Sequence, residues 1–142
     1  MPGLGRFIAA QDPVMDAVMA ELRAGRKATH WMWFVFPQLA SLGRSGTARF
    51  YGLADPAEAR AYLAHPVLRA RLLAAAEALL AHRGLTAQEI LGPTDAMKLR
   101  SCATLFAAAG DAEVTGRMEA LLARFYDGVP CPLTQKGLAQ DG

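Results

Sequence analysis

Residues 55–84 read DPAEARAYLAHPVLRARLLAAAEALLAHRG, and they decide the fold class. Asp55 can cap the free amides of a first turn, Pro56 needs no donor at the first helical position, and Glu58 sits where it can reach back. A helix is therefore expected from Asp55 to about Ala64. Pro66 disfavours helical geometry at His65 but can open a new helix. That second helix, Val67 to His82, places Leu68, Leu72, Ala75 and Leu79 on one face until Gly84 stops it.

The same punctuation continues downstream. Thr86-Ala87-Gln88-Glu89 is a capping box, and Gly92-Pro93 closes the short helix it opens. Thr94 or Asp95 then caps a helix running to Ala109, and a last helix covers about Ala112 to Tyr126. The Pro/Gly-rich remainder, 129–142, reads as a partly ordered tail.

Upstream, Asp12-Pro13 opens a helix to about Ala24, with Val14, Val18 and Leu22 on one face and Gly25 as its left-handed terminus. A glycine-marked loop, Ser41 to Gly46, precedes a short helix around Thr47 to Tyr51. Between them lies His30-Trp31-Met32-Trp33-Phe34-Val35-Phe36-Pro37-Gln38. Its hydrophobicity is too continuous for a clear period, so a short buried helix and a strand both fit. The lack of strand partners elsewhere favours the helix. The expected architecture is all-α: a single domain over 1–142, ordered from about 6 to 128, forming an orthogonal bundle of six to seven helices without significant sheet.

Composition narrows the function classes. At 142 residues the chain can bury a core without disulfides or metals. Although 53% of residues are apolar, no stretch approaches the roughly 20 residues of a membrane span. No signal peptide is legible at the N-terminus, so a cytoplasmic protein is expected, in which Cys102 and Cys131 stay reduced. Fifteen basic and 13 acidic residues give a net charge of +2 without a basic stripe, which makes nucleic acid an unlikely partner. His30, His65 and His82 lack Cys or acid companions at ligand spacing, so no metal is expected, and no motif calls for a cofactor.

Two places contradict their local pattern. On a wheel of about 100° per residue, Met97, Leu99, Cys102, Leu105 and Phe106 form an apolar arc with Lys98 near its centre and Ser101 beside it. Arg100 projects the other way. Such a lysine either snorkels or pairs with Asp95, or faces a polar cavity that holds a ligand. The second place is His30 beside Trp31 and Trp33, preceded by Arg26 and Lys27 and followed by Gln38. These rings either build the core or offer a stacking wall for a planar ligand.

Together these residues suggest a small-molecule site between the His30–Gln38 segment and the Lys98–Ser101 helix. Lys98 with Arg26 or Lys27 would meet an anionic, nucleotide-like ligand, a tryptophan would stack on it, and Gln38 and Ser101 would orient it. If catalysis occurs there, His30 is the candidate acid or base. The alternative is a protein-interaction module with exposed tryptophans. Monomer and dimer both remain open.

A resemblance adds to this reading. Arg6-Phe7, Gly25-Arg26-Lys27 leading into the His30–Gln38 segment, Leu42-Gly43-Arg44-Ser45, His65-Pro66-Val67-Leu68, Ile90-Leu91-Gly92 and Lys98-Leu99-Arg100-Ser101 recur as a set. On these anchors the chain resembles the bacterial uncharacterised-domain family numbered 1810, sometimes labelled calpastatin-like. The resemblance spans about Arg6 to Gly128 and implies a small all-α domain with no established activity. The label implies protease inhibition, but a disordered acidic inhibitor would not share this compact, aromatic-rich pattern. Cys102-Ala103 departs from the family, which is expected to carry a small hydroxyl residue and then methionine there.

Overall fold

The computed structural model describes residues 3–141. Among them the chain forms ten α-helices and one 3₁₀ turn, with no sheet. The helices are α1 Gly5–Gln11, α2 Met15–Ala24, α3 Met32–Val35, α4 Gly46–Phe50, α5 Pro56–Ala64, α6 Pro66–Leu80, α7 Ala87–Leu91, α8 Pro93–Ala109, α9 Ala112–Tyr126 and α10 Pro132–Asp141. The all-α expectation holds, with ten helices in place of six to seven.

Where the caps are strong, the sequence-based boundaries are met. Asp55 accepts from the Glu58 amide at 2.8 Å, and Glu58 reaches back to the Ala54 amide at 2.9 Å. Thr86 and Glu89 form the expected capping box of α7. Asp111 caps α9 through the Val114 amide. His65 caps α6 with Nδ1, which accepts from the Val67 amide at 3.3 Å.

Two expected caps are spent elsewhere. Asp12 continues out of α1 instead of opening α2, and its carboxylate meets Arg71 at 2.8 Å. Helix α8 begins at Pro93 behind Gly92 without a side-chain cap, which frees Asp95 for ion pairing. Two helices had no signal in the sequence pattern: α1, and α10, which occupies the segment read as a partly ordered tail.

The core joins residues from α1, α2, α3, α5, α6, α7, α8 and α9. Helix α8 is its axis, packed by α5, α7, α9 and α10. The expected Leu99, Cys102, Leu105 and Phe106 are buried, and enclosure from several sides widens the buried arc of α8 to Ala96, Ser101, Ala103 and Thr104. Met97, expected on that arc, is 72% exposed. Beside the core lies a polar node in which Gln11 Nε2 donates to Phe34 O at 2.7 Å and to Tyr62 Oη at 3.1 Å, while Gln11 Oε1 accepts from Arg71 at 3.3 Å.

The segment leading from α3 to α4 is fixed by backbone pairing. Leu53 N donates to Gln38 O at 2.9 Å and Ala40 N donates to Leu53 O at 2.8 Å. Gly52 is required here, because a Cβ at that position would stand 2.3 Å from Ala40 Cα. On the other side, Gly137 lets α10 close on Leu39, whose Cδ1 would lie 3.0 Å from an added Cβ. A rigid strip, 38–44, thus faces the first turns of α8 and the start of α10.

Candidate functional site

A cleft of about 430 Å³ opens between that strip, the N-terminal half of α8 and residues Cys131 and Leu133. Gln38 and Arg44 come from the strip, and Thr94, Lys98, Arg100 and Ser101 from α8. Leu42, Met97 and Leu133 supply its apolar surface. Three cationic side chains therefore line one cleft that no carboxylate lines.

The electrostatics of Lys98 follow from a short chain of charges. Lys27 Nζ lies 2.9 Å from Asp95 Oδ2, and Lys98 Nζ lies 3.5 Å from the other oxygen. Lys98 also stands 4.6 Å above the centre of the Trp33 ring. The cluster of two lysines and one aspartate retains one net positive charge, and the shorter contact assigns the carboxylate first to Lys27. Attraction between a cation and an aromatic face holds Lys98 at the cleft without neutralising it.

Ser101 and Cys131 form a polar corner of the cleft. Ser101 Oγ is 3.2 Å from Met97 O and 3.4 Å from Cys131 Sγ. One hydroxyl proton cannot serve both acceptors at full strength. The Cys131 amide donates to Thr104 Oγ1 at 2.8 Å, which pins the residue against α8.

Of the residues singled out from the sequence, Gln38, Lys98 and Ser101 meet at the cleft, and Trp33 backs Lys98. Lys27 is one step removed, engaged with Asp95 and set 5.1 Å from the Trp31 ring centre. Trp31 does not form a stacking wall: it is 1% exposed and its Nε1 donates to Glu21 Oε1 at 3.0 Å. Arg26 and His30 are exposed on the loop before α3 and do not line the cleft. The role of acid or base assigned to His30 therefore has no geometry at this cleft. Arg100, expected to project away, lines the cleft and donates from Nε to Val129 O at 2.9 Å.

Four contributors had no sequence signal. Arg44 and Thr94 sit at the cleft because of the strip and the early start of α8, and Cys131 because α10 is ordered. Glu21 organises the approach from outside the cleft. Its carboxylate accepts from the amides of Ala28 and Thr29, the Thr29 hydroxyl and the Trp31 ring. Burial pushes this carboxyl up, but the four donors outweigh it and hold it at about 2.

The chain belongs to the family described as Protein of unknown function (DUF1810), which matches residues 2–138. The chain is similar to the conserved hypothetical protein Rv1873 from Mycobacterium tuberculosis, known from a crystal structure. That similarity is 46% identity over 96% of each chain, with a TM-score of 0.92. No curated protein matches the sequence. Among the described residues no helix is long and apolar enough to cross a membrane.

Proposed function

We propose that the cleft binds a small molecule through an anionic group. The observation that carries this reading is the convergence of Arg44, Lys98 and Arg100 on a surface that no carboxylate lines. Asp95 is shared between Lys27 and Lys98 and so offsets only part of this positive charge; an anion in the cleft would offset the rest while gaining charge-assisted hydrogen bonds. Gln38, Thr94 and Ser101 add neutral donors, and Met97, Leu42 and Leu133 accommodate an apolar body next to the anionic group. Ring stacking on Trp31 is dropped from the reading, because that ring is packed in the core. With Trp31 in the core and Trp33 half-buried beneath Lys98, the observations favour the cleft over a patch of exposed tryptophans.

The test is a thermal-shift titration with inorganic phosphate, pyrophosphate and short carboxylates against wild type, Lys98→Met and Arg100→Met. An anion at 100 times its dissociation constant adds roughly 2.7 kcal/mol to the folded state. Wild type is expected to gain stability with at least one anion class, both variants to lose that gain, and added sodium chloride to weaken it. Equal shifts in all three proteins would refute the cleft as the binding site.

A further inference from the structure

We propose that Cys131 is a nucleophilic thiolate on the wall of this cleft, and that it takes a small electrophile carrying a carboxylate or phosphate. The anionic part of this assignment rests on the cleft reading above. In the reaction the sulfur lone pair forms a bond to an electrophilic carbon, the carbon-to-leaving-group bond breaks, and the leaving group departs with that electron pair. No oxidant is required, and the proton has already left the thiol for solvent.

The first argument is position. Cys131 immediately precedes α10, and its carbonyl accepts the first helical bond, from Gln135 N at 3.1 Å. This is a position that favours oxygen acceptors such as Ser, Thr, Asp or Asn, because free amides point at the side chain. A neutral thiol is a weak acceptor and a thiolate a strong one, so the helix terminus favours the ionised form.

The second argument is the set of donors at the sulfur. Ser101 Oγ approaches at 3.4 Å, and Leu133 and Thr134 follow in the first turn of α10, where backbone amides have no helical acceptor. Thr134 Oγ1 is fully buried and has no partner of regular geometry, the one such side-chain atom among the described residues. It makes no regular hydrogen bond to the neutral thiol, and its dipole favours the ionised sulfur three residues back. A buried hydroxyl left without a partner costs about 1–3 kcal/mol, and ionisation of Cys131 gives it an acceptor. Burial pushes the thiol up, but these donors outweigh it and leave the group below its ordinary value.

The third argument is the charge around the site. Arg44, Lys98 and Arg100 share the cleft with Cys131 and favour both the thiolate and an incoming anion. Two carboxylates lie in the neighbourhood. Asp95 is held by Lys27 and Lys98, and Glu119 opens on the groove beyond Thr104 and Gln135. Cys102 provides the internal contrast: Cys131 keeps 9% exposure at the cleft wall, whereas Cys102 has none, lines no part of the cleft, and burial alone pushes its thiol well above the ordinary value.

The test uses the intact wild-type protein with iodoacetate and iodoacetamide, the modified residue being located by mass spectrometry. In both reagents the attacking sulfur bonds to the methylene carbon and iodide leaves to solvent, but only iodoacetate carries a carboxylate. Cys131 is expected to react in the folded protein while Cys102 stays silent. The pH midpoint of the iodoacetamide rate should lie below that of the thiols in the denatured chain. The iodoacetate-to-iodoacetamide rate ratio at Cys131 should exceed the denatured ratio about tenfold, the rate equivalent of roughly 1.4 kcal/mol. Inorganic phosphate should lower the iodoacetate rate, and Ser101→Ala and Thr134→Val should each raise the pH midpoint by at least about half a unit.

A midpoint no lower than that of the denatured chain, or no reaction at Cys131, overturns the inference. If phosphate nonetheless stabilises the protein, the cleft reading survives that failure. A low midpoint with no preference for iodoacetate and no protection by phosphate overturns the anionic substrate class and counts against the cleft reading.

Discussion

Two glutamines illustrate how differently this small domain treats its polar groups. Gln11 lies in the core, and both ends of its amide are engaged, by Phe34, Tyr62 and Arg71. Burial raises the Tyr62 hydroxyl well above its usual range, so the node stays neutral on the tyrosine side. Gln38 lines the cleft together with Lys98 and Ser101, and its backbone is bound to Leu53. A node whose donors and acceptors are all paired stabilises and specifies the fold. A cleft lined by three cations and by no carboxylate is where binding of an anion belongs.

This contrast breaks first at Gln11. Gln11→Leu leaves the Phe34 carbonyl and the Tyr62 hydroxyl short of a partner in the core, and chemical denaturation should show a loss of about 1–3 kcal/mol. Gln38→Leu should change stability by less than about 0.5 kcal/mol. Equal losses in the two variants would erase the distinction.

Lys98→Met comes next, and its effect should appear in binding. Methionine retains contact with Trp33 while removing the cation, so the unfolding midpoint should stay close to wild type and anion affinity should fall at least about tenfold, or roughly 1.4 kcal/mol. A variant that unfolds readily would show instead that Lys98 serves the fold.

Glu21→Gln sharpens the comparison through pH. In the folded state the Glu21 carboxyl is held at about 2, against 4.5 for an ordinary glutamate. A depressed folded-state value means that the charged form stabilises the fold above about pH 4.5, and that this contribution is lost as pH falls towards 2. Wild type should therefore exceed Glu21→Gln by about 1 kcal/mol near neutral pH, and the gap should close between pH 4.5 and 2. A gap independent of pH would assign the effect to packing.

The smallest effect is expected at Met97. Its exposure of 72% predicts that Met97→Ala changes stability by less than about 0.5 kcal/mol, although the helical wheel assigns it to the core. A loss of 2 kcal/mol or more would restore the wheel's arc.

The helical wheel and the structure part for a definite reason. A wheel infers one buried face from polarity, whereas α8 is packed by four other helices and its exposed strip is set by where they leave a gap. Lys98 was legible as a contradiction because a cation among Met97, Leu99 and Ser101 is visible in the sequence. Arg44, Thr94 and Cys131 were not, because each reaches the cleft through a long-range arrangement that no local pattern encodes. The roles expected of His30 and Trp31 fail on the same account: the clamp at Glu21 turns one ring into the core and leaves the other on an exposed loop.

By itself, the amino-acid sequence determined the all-α class, most helix boundaries and the place of Gln38, Lys98 and Ser101 as residues out of keeping with their surroundings. Those features rest on local physics: capping geometry, the fixed φ of proline and the period of the helix act over four or five residues. Only the tertiary structure decided that α10 folds back against α8, that Asp95 is shared by two lysines, and that three cations and a thiol face one cleft. Those are contacts between residues tens of positions apart, and their geometry depends on how the packed helices fill space, a property of the whole chain.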